Sequence, residues 1–378
     1  MNKILVTVAL FCVAVFAYAG QWTKTEVADI ITRVNNTWQR NHPTQERTFW
    51  DPAVYHTGNM EAYKLLGNPK WYDYSKQWAE QGRWMGATES NPDKWKYKQY
   101  GEDMQHVLFG DWQICFQTFI DLYTLAPQRG IEAQEQWVKR AKEVMGYEVK
   151  STATDYWWWA DALYMVMPIM TKMYKLTGDK QYLDKLYANW QYANGIMYDN
   201  ATGLYFRDGK YVYPKHTTAD GKKDFWARGD GWVMAAFAKV LQDLPKNDKH
   251  RKIYIKYYKR LATAVKNCQQ PEGYWTRSML DPAQAPGRET SGTALFAYSL
   301  FWGINNKILS RAKFAPVAER AWNYLANVAL QPDGTVGYVQ PIGEKAIPGQ
   351  VVNQKSVTNF GTGAFLLAAC EYYRYINQ

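Results

Sequence analysis

The sequence is poor in the residues that bind metals and form disulfides. Only 4 cysteines and 5 histidines occur in 378 residues, and no two of them have the spacing of a zinc site. Neither an H-E-x-x-H nor an H-x-H motif is present, which argues against a catalytic metal. Cys12 lies in an N-terminal apolar run, so Cys115, Cys268 and Cys370 remain. These three permit at most one disulfide, and buried free thiols are the favoured interpretation.

The sequence also lacks an apolar run long enough to span a membrane. Residues 4–17 form a run that is too short for a transmembrane helix, and Ala17-Tyr18-Ala19 follows as an A-x-A cleavage pattern. We therefore predict a signal peptide over residues 1–19 and secretion, with the periplasm as the expected compartment. No membrane association is expected after cleavage.

Basic stripes and interdomain linkers are absent as well. The formal net charge of +10 is scattered along the chain, which argues against a nucleic-acid partner. No tract rich in Pro, Gly and Ser interrupts the remainder, so a single domain over residues 20–378 is predicted. The sequence carries no prediction of oligomeric state.

What the sequence does have is a long-period repeat. Six times, an apolar helix pattern follows a segment of Trp, Gly and polar residues, and such repeats indicate one supersecondary unit used many times. The six openings are residues 56–61, 109–112, 157–161, 226–232, 289–293 and 360–363. Each interval can hold an inner helix and an outer helix, so the expected fold is all-α, an (α/α)6 barrel of six helical hairpins. The openings should surround one cavity.

Helical periodicity supports this interpretation. Residues 161–176 carry a broad apolar face with 3.6-residue spacing and end at Thr177-Gly178-Asp179, a helix-stop signal. Strand-like patterns are confined to short segments at 203–208, 273–277 and 334–339, which we interpret as extended loops at the cavity mouth. Trp occurs 18 times, and aromatic faces beside polar groups suit a sugar ring.

Asp161 is the strongest candidate for chemistry. It follows three tryptophans, and a carboxyl group among such neighbours loses water, so its pKa should rise to suit a general acid. Thr154 or Asp155 would be better placed to cap the helix. Asp111 opens another inner helix and is the second candidate, with Asp103 as a rival acid in the same segment.

Arg228 lies between Trp226 and Trp232 in a glycine-containing loop. An arginine there can hold a carboxylate while the indoles pack on a ring, although a bracing pair with Asp230 explains the motif equally well. His56 and His216 are weaker candidates for substrate contact.

These segments together resemble the unsaturated rhamnogalacturonyl hydrolases of glycoside hydrolase family 105, which are relatives of the unsaturated glucuronyl hydrolases. The resemblance covers residues 50–373, and its most specific parts are Trp-Ala-Arg-Gly-x-Gly-Trp at 226–232 and Asp-x-Leu-Tyr-Met at 161–165. It implies an (α/α)6 barrel, no metal and no cofactor.

The resemblance also implies a substrate and a reaction. The substrate is a small acidic oligosaccharide left by a lyase, with a Δ4,5-unsaturated galacturonyl or glucuronyl residue at its non-reducing end. Vinyl-ether hydration releases that residue, with Asp161 protonating C4 and Asp111 assisting. Substrate-binding positions matched or suggested by the resemblance are Trp226, Arg228, Trp232, Trp159, Tyr164, His56, Arg207 and His216.

One segment departs from the pattern of that family. Many members have His-x-Trp-Asp where this chain has Phe206-Arg207-Asp208, and Arg207 or His216 is expected to replace the histidine. This departure motivates one alternative, a glycan-binding protein without catalytic activity. A second alternative keeps the barrel but changes the chemistry, to that of an ordinary glycosidase or a sugar epimerase.

Overall fold

The computed structural model describes residues 22–44 and 46–377, which form thirteen α-helices. Their bounds are α1 Lys24–Asn41, α2 Trp50–Leu66, α3 Pro69–Gln81, α4 Gly110–Gln113, α5 Cys115–Leu125, α6 Gln136–Lys150, α7 Ala160–Thr177, α8 Gln181–Met197, α9 Ala227–Asp243, α10 Arg251–Asn267, α11 Thr290–Asn305, α12 Arg311–Tyr324 and α13 Asn359–Tyr375. In these ranges the extended segments meet only as isolated β-bridges, and no helix is both long and apolar enough to cross a membrane. The predicted signal peptide, residues 1–19, lies outside the described residues.

The helices form two concentric rings. The inner ring contains α2, the broken pair α4–α5, α7, α9, α11 and α13; each packs against the next, and α13 packs against α2. The outer helices α3, α6, α8, α10 and α12 alternate with them along the chain, and α1 packs on α13. The first helix is therefore the outer partner of the last. This confirms the predicted all-α (α/α)6 barrel.

The inner helices are apolar nearly all round because they pack both on their ring neighbours and on the outer helices. Helix α7 is an example, since all but five of its residues are buried. It ends at Gly178, whose φ of 76° is the left-handed cap that glycine adopts without a Cβ clash. The predicted bounds of 161–176 therefore differ from those of α7 by one residue at each end.

One predicted helix opening is wrong. Residues 56–61 lie in the middle of α2, which begins at Trp50. A Cβ atom on Gly58 would lie 2.3 Å from the carbonyl oxygen of Gly363. The glycine signal there marks the close crossing of α2 and α13 rather than the start of a helix.

The three extended segments contact the inner helices that precede them in the chain. The first backbone N–H of α7, α9 and α11 donates to the carbonyl oxygens of Arg207, Arg277 and Tyr338, at 2.7, 2.9 and 2.9 Å. These bonds satisfy donors that a helix N-terminus otherwise leaves free. They also fix each loop beside the helix end that it caps.

The three cysteines in the described part of the chain are free thiols. Cys115 and Cys370 are buried, and Cys268 is partly buried. No disulfide therefore contributes to the stability of this part of the barrel.

Candidate active site

The N-terminal ends of the inner helices meet at one end of the barrel, which we call the mouth. The second residue of each inner helix lies there, and these six residues are Asp51, Asp111, Asp161, Arg228, Ser291 and Phe360. Contacts join several of them: Arg228 Nη1 lies 3.3 Å from Ser291 Oγ, and the guanidinium lies 4.7 Å from the Phe360 ring. Each hairpin thus contributes one side chain at an equivalent position.

A cavity of ≈ 190 Å³ opens in this mouth. It is lined by two acids, one arginine and an aromatic wall, together with the loop at 342–344; the residues are Trp50, Tyr100, Asp111, Trp159, Asp161, Met165, Arg207, Ile342, Gly343 and Glu344. A larger cavity of ≈ 400 Å³ opens at the other end of the barrel, near Leu176 and Asp243. We assign the site to the smaller cavity, because two buried carboxyl groups line it and each has an oxygen without a hydrogen-bond partner. Asp121 and Asp243, which line the larger cavity, form ion pairs with lysines.

Asp161 is buried, with 8% of its surface exposed. Its Oδ2 atom lies 3.4 Å from Nε of Arg207, yet no hydrogen bond satisfies that oxygen. Burial raises the pKa of Asp161, and the positive charges of Arg207 and Arg228 only partly oppose this. The group therefore retains a proton to higher pH than an exposed aspartic acid.

The proposed capping role of Thr154 or Asp155 is not found. The residue that precedes α7 is Trp159, which makes no side-chain cap. The carboxylate of Asp155 instead accepts a hydrogen bond from the Tyr97 hydroxyl at 2.8 Å. The start of α7 is held by the carbonyl of Arg207, which places the arginine beside Asp161.

Asp111 is the second acid of the mouth. Its carboxyl group is buried, and Oδ1 has no hydrogen-bond partner. Burial raises the pKa of Asp111 well above its usual value, and the nearby charge of Asp161 raises it further. Its rival Asp103 has a side chain that is 55% exposed and pairs with His106, so it does not line the cavity.

Arg207 connects the acids of the mouth. Its Nη1 atom lies 2.6 Å from Asp208 Oδ2 and 3.2 Å from Glu344 Oε2, in addition to the Nε contact with Asp161. The guanidinium is therefore shared among three carboxyl groups. Arg207 therefore places a permanent positive charge next to the candidate acid.

Arg228 binds the loop at 340–343 and does not form an ion pair with Asp230. Its Nη atoms donate to the carbonyl oxygens of Gln340 at 2.7 Å and Pro341 at 2.9 Å, and its guanidinium packs 4.5 Å from the Trp226 ring. Burial lowers the pKa of Arg228 to about 10. The alternative pair with Asp230 does not form, since Asp230 accepts a hydrogen bond from the backbone N–H of Tyr205 instead. Arg228 therefore positions the loop at 340–343 over the cavity.

Two predicted sugar-binding aromatics lie at the mouth. The Trp159 ring lines the cavity and stacks on Phe109 at 4.6 Å. The Trp226 indole N–H donates to Gln340 Oε1 at 2.9 Å, so this ring supports the loop.

Neither Trp226 nor Arg228 lines the cavity, and four other predicted residues do not line it either. Tyr164 and Trp232 lie deeper in the barrel, where their rings pack at 4.8 Å, because they stand one turn or more after the helix starts. His56 faces outer helix α3, where it stacks 4.0 Å from Trp78. His216 belongs to a loop and pairs with Asp224 at 2.8 Å.

Several mouth residues escaped the sequence analysis. Glu344, Lys210 and Tyr211 form one cluster with Arg207, and Tyr100 completes the aromatic wall. In the sequence, these residues are indicated only by the polar tip that follows each strand-like segment. The pattern does not show which of the three tips reaches the cavity. In the described ranges, no group of three or more His, Cys, Asp and Glu side chains could hold a metal ion.

Comparisons with known proteins decide the family. The model of Glycosyl Hydrolase Family 88 matches residues 22–376. This chain belongs to that family. It is a glycoside hydrolase by this membership, and the resemblance predicted from its motifs is confirmed.

Individual relatives agree with this assignment. An unsaturated 3S-rhamnoglycuronyl hydrolase from Formosa agariphila is 30% identical over 346 residues, which cover 88% of this chain and 87% of that protein. A solved family 88 structure from Bacteroides vulgatus is 55% identical, with a TM-score of 0.90 over 94% of this chain and 100% of that one. Another solved structure, described as a polysaccharide lyase, is 60% identical with a TM-score of 0.90 over 94% and 98% of the two chains. Structures of a possible family 105 member from Salmonella enterica and of an unsaturated glucuronyl hydrolase, with TM-scores of 0.72 and 0.65, share the fold at 19% and 13% identity.

Proposed function

We propose that this glycoside hydrolase removes a Δ4,5-unsaturated uronic acid from the non-reducing end of acidic oligosaccharides by hydrating its double bond. The observation that carries the proposal is the pair of buried carboxyl groups, Asp111 and Asp161, at the ends of neighbouring inner helices and beside one cavity. Each has a pKa raised by burial. Both groups therefore keep a proton to higher pH than an exposed aspartic acid does.

The reaction uses that proton directly. Asp161 transfers it to C4 of the enol ether, and water adds at C5 while its proton returns to the carboxylate. The resulting C5 hemiketal opens and leaves C1 as a hemiacetal of the next sugar, which is then released. The charge of Asp161 raises the pKa of Asp111, so the two carboxyl groups act on the same space, and Asp111 assists the acid.

The mouth also suits the substrate. Trp159 and Trp50 offer aromatic faces for an apolar ring face, and Arg207 offers positive charge for an acidic group. The name of the Formosa relative, an unsaturated 3S-rhamnoglycuronyl hydrolase, supports a substrate that contains an unsaturated uronyl residue and rhamnose. The galacturonyl and glucuronyl forms should both be tested.

The test follows the ultraviolet absorbance of the conjugated double bond. Hydration removes it, so absorbance falls when the enzyme meets oligosaccharides made by lyase digestion. Asp161→Asn should lose about 10²–10⁴-fold in kcat, whereas Asp103→Asn, which changes an exposed acid outside the cavity, should retain the parent rate. An Asp161→Asn variant with normal thermal unfolding and full activity would refute the assignment.

A second candidate, polysaccharide lyase activity, is motivated by the description of the structure at 60% identity. A lyase creates the double bond that a hydrolase removes, so the sign of the absorbance change separates them. Rising absorbance on undigested polymer would favour the lyase, and falling absorbance on the digest would favour the hydrolase. Release of sugar from a digest at constant absorbance would indicate an ordinary glycosidase.

A further inference from the structure

A carboxylate of the protein itself occupies a cationic pocket at the mouth. Glu344 Oε1 accepts a hydrogen bond from the Tyr211 hydroxyl at 2.7 Å, while Oε2 lies 3.2 Å from Arg207 Nη1 and 3.3 Å from Lys210 Nζ. We call these four residues the Glu344 cluster. Three donors from one loop thus converge on a single carboxylate, which is a common arrangement for binding an anionic ligand.

The cluster adjoins the reacting position. Arg207 and Glu344 both line the cavity, and Arg207 also contacts Asp161 at 3.4 Å. An anion held by Arg207 would therefore lie within one side chain of the candidate acid. With the reacting C4 atom beside Asp161, an acidic group on the unsaturated ring or on the adjacent sugar would lie close enough to contact Arg207.

The glutamate is held less firmly than Arg207. Its side chain is 43% exposed and that of Lys210 is 64% exposed, whereas Arg207 is 13% exposed and is anchored by buried Asp208. Exposed ion pairs contribute little to stability. Burial raises the pKa of Glu344, but Tyr211, Arg207 and Lys210 outweigh it and keep the pKa below its usual range. The group is therefore an ionised carboxylate at neutral pH.

The segment that carries Glu344 is fixed at its base and exposed at its tip. Arg228 binds the carbonyls of Gln340 and Pro341, while Ile342 and Val351 are 62% and 74% exposed. Gly343 precedes the glutamate, and a Cβ there would meet nothing closer than 3.8 Å. The backbone on both sides of Glu344 is held, since Arg228 and Gln340 donate to the carbonyl oxygens of Gly343 and Lys345 at 3.5 and 2.8 Å. The exposed Glu344 side chain can therefore turn outward by rotation about its own bonds, without movement of the loop.

We propose that Arg207, Lys210 and Tyr211 form an anion subsite for a carboxylate or sulfate group of the oligosaccharide, and that Glu344 occupies this subsite until the substrate displaces it. The inference rests on the proposed function for the identity of the substrate, but not for the existence of the subsite. It differs from a bracing role, in which Glu344 only attaches the loop to the barrel.

The first test uses inorganic sulfate and does not depend on turnover. Glu344→Gln should bind sulfate about fivefold more tightly than the parent by titration calorimetry, because the internal competitor has lost its charge. Adding Lys210→Met to that variant should reverse the gain. Lys223→Met, which removes an equal charge from the Asp199 pair outside the cavity, is the matched control. Weaker or equal sulfate binding by Glu344→Gln would overturn the proposal.

The second test locates the anion on the substrate. Two unsaturated disaccharides are compared, one with a neutral second sugar and one with a sulfated second sugar. If Glu344→Gln lowers KM about fivefold for both, the subsite takes the uronyl carboxylate; if only for the sulfated one, it takes the substituent. A KM that is unchanged or raised for both would overturn the proposal, since a brace predicts that result. If the parent enzyme hydrated neither substrate, that would count against the proposed function, and the sulfate titration would still decide on the subsite.

Discussion

Arg207 should set the alkaline limit of activity through its effect on Asp161. Replacing Arg207 with Met removes a positive charge 3.4 Å from the Asp161 carboxyl group. Coulomb's law at an effective dielectric constant of about 20 gives an attraction of about 5 kcal/mol at that distance. At 1.36 kcal/mol per pKa unit, this is an upper bound of about 3.6 units, and carboxyl groups beside arginine are lowered by about 1–3 units.

The direction in which the pH profile moves follows from the role of Asp161 as a general acid. Asp161 must be protonated to act, so activity falls as pH rises through its pKa. Loss of Arg207 raises that pKa further, because Arg207 is the main charge that opposes the effect of burial. The alkaline limb of kcat/KM should therefore move upward by about 1–3 units.

The assay is the pH dependence of kcat/KM, which reports the free enzyme. Absorbance decay at low concentrations of unsaturated disaccharide provides it, over a pH range in which thermal unfolding shows both proteins folded. Lys223→Met serves again as the charge-matched control, and the alkaline limb of its kcat/KM profile should stay at the same pH as in the parent. A limb that stays in place or shifts to lower pH in Arg207→Met would refute Asp161 as the general acid.

Three further predictions concern stability and the loop. Burial raises the pKa of Glu148 to about 8, so the free energy of unfolding should be highest below about pH 4.5 and should fall as pH rises toward 8. Glu148→Gln should reduce this fall by a few kcal/mol when unfolding is measured near pH 5 and near pH 8. The same fall in the variant and the parent would contradict the prediction. Gly58→Ala should destabilise by about 1–3 kcal/mol in denaturant unfolding, because its Cβ would lie 2.3 Å from the Gly363 carbonyl oxygen; Gly195→Ala, whose Cβ meets no atom within 4 Å, should not. Arg228→Lys loses the fork that binds two loop carbonyls, so KM should rise and limited proteolysis should cut the loop sooner, while equal protease resistance would contradict the positioning role.

The barrel could be predicted because its signals are local and repeated. Apolar periodicity and a glycine stop defined α7 to within one residue at each end. Asp111 and Asp161 were also locally marked, since each lies two residues after an aromatic residue at the start of an inner helix. Their position at the mouth follows from the repeat itself.

The remainder of the site depends on contacts between distant segments. Glu344 lies 137 residues from Arg207, and no local pattern reports that pairing. The error at His56 has the opposite cause, because aromatic and glycine-rich surroundings occur both at a mouth and at a helix crossing. Sequence patterns distinguish helix ends from helix interiors poorly when both are rich in small residues.

The ring closes through contacts between the first and last helices of the chain, and this closure has a consequence for how the chain reaches its native state. The Trp22 indole donates to Asn323 at 3.4 Å across 301 positions, and Asn359 donates to Asp51 at 2.8 Å across 308. Closing so long a loop has an entropic cost that only the completed ring offsets. We expect a newly made chain to carry five helical hairpins in an unclosed ring until α13 is synthesised. We also expect a circular permutant that links residue 377 to residue 22 to fold faster than the parent.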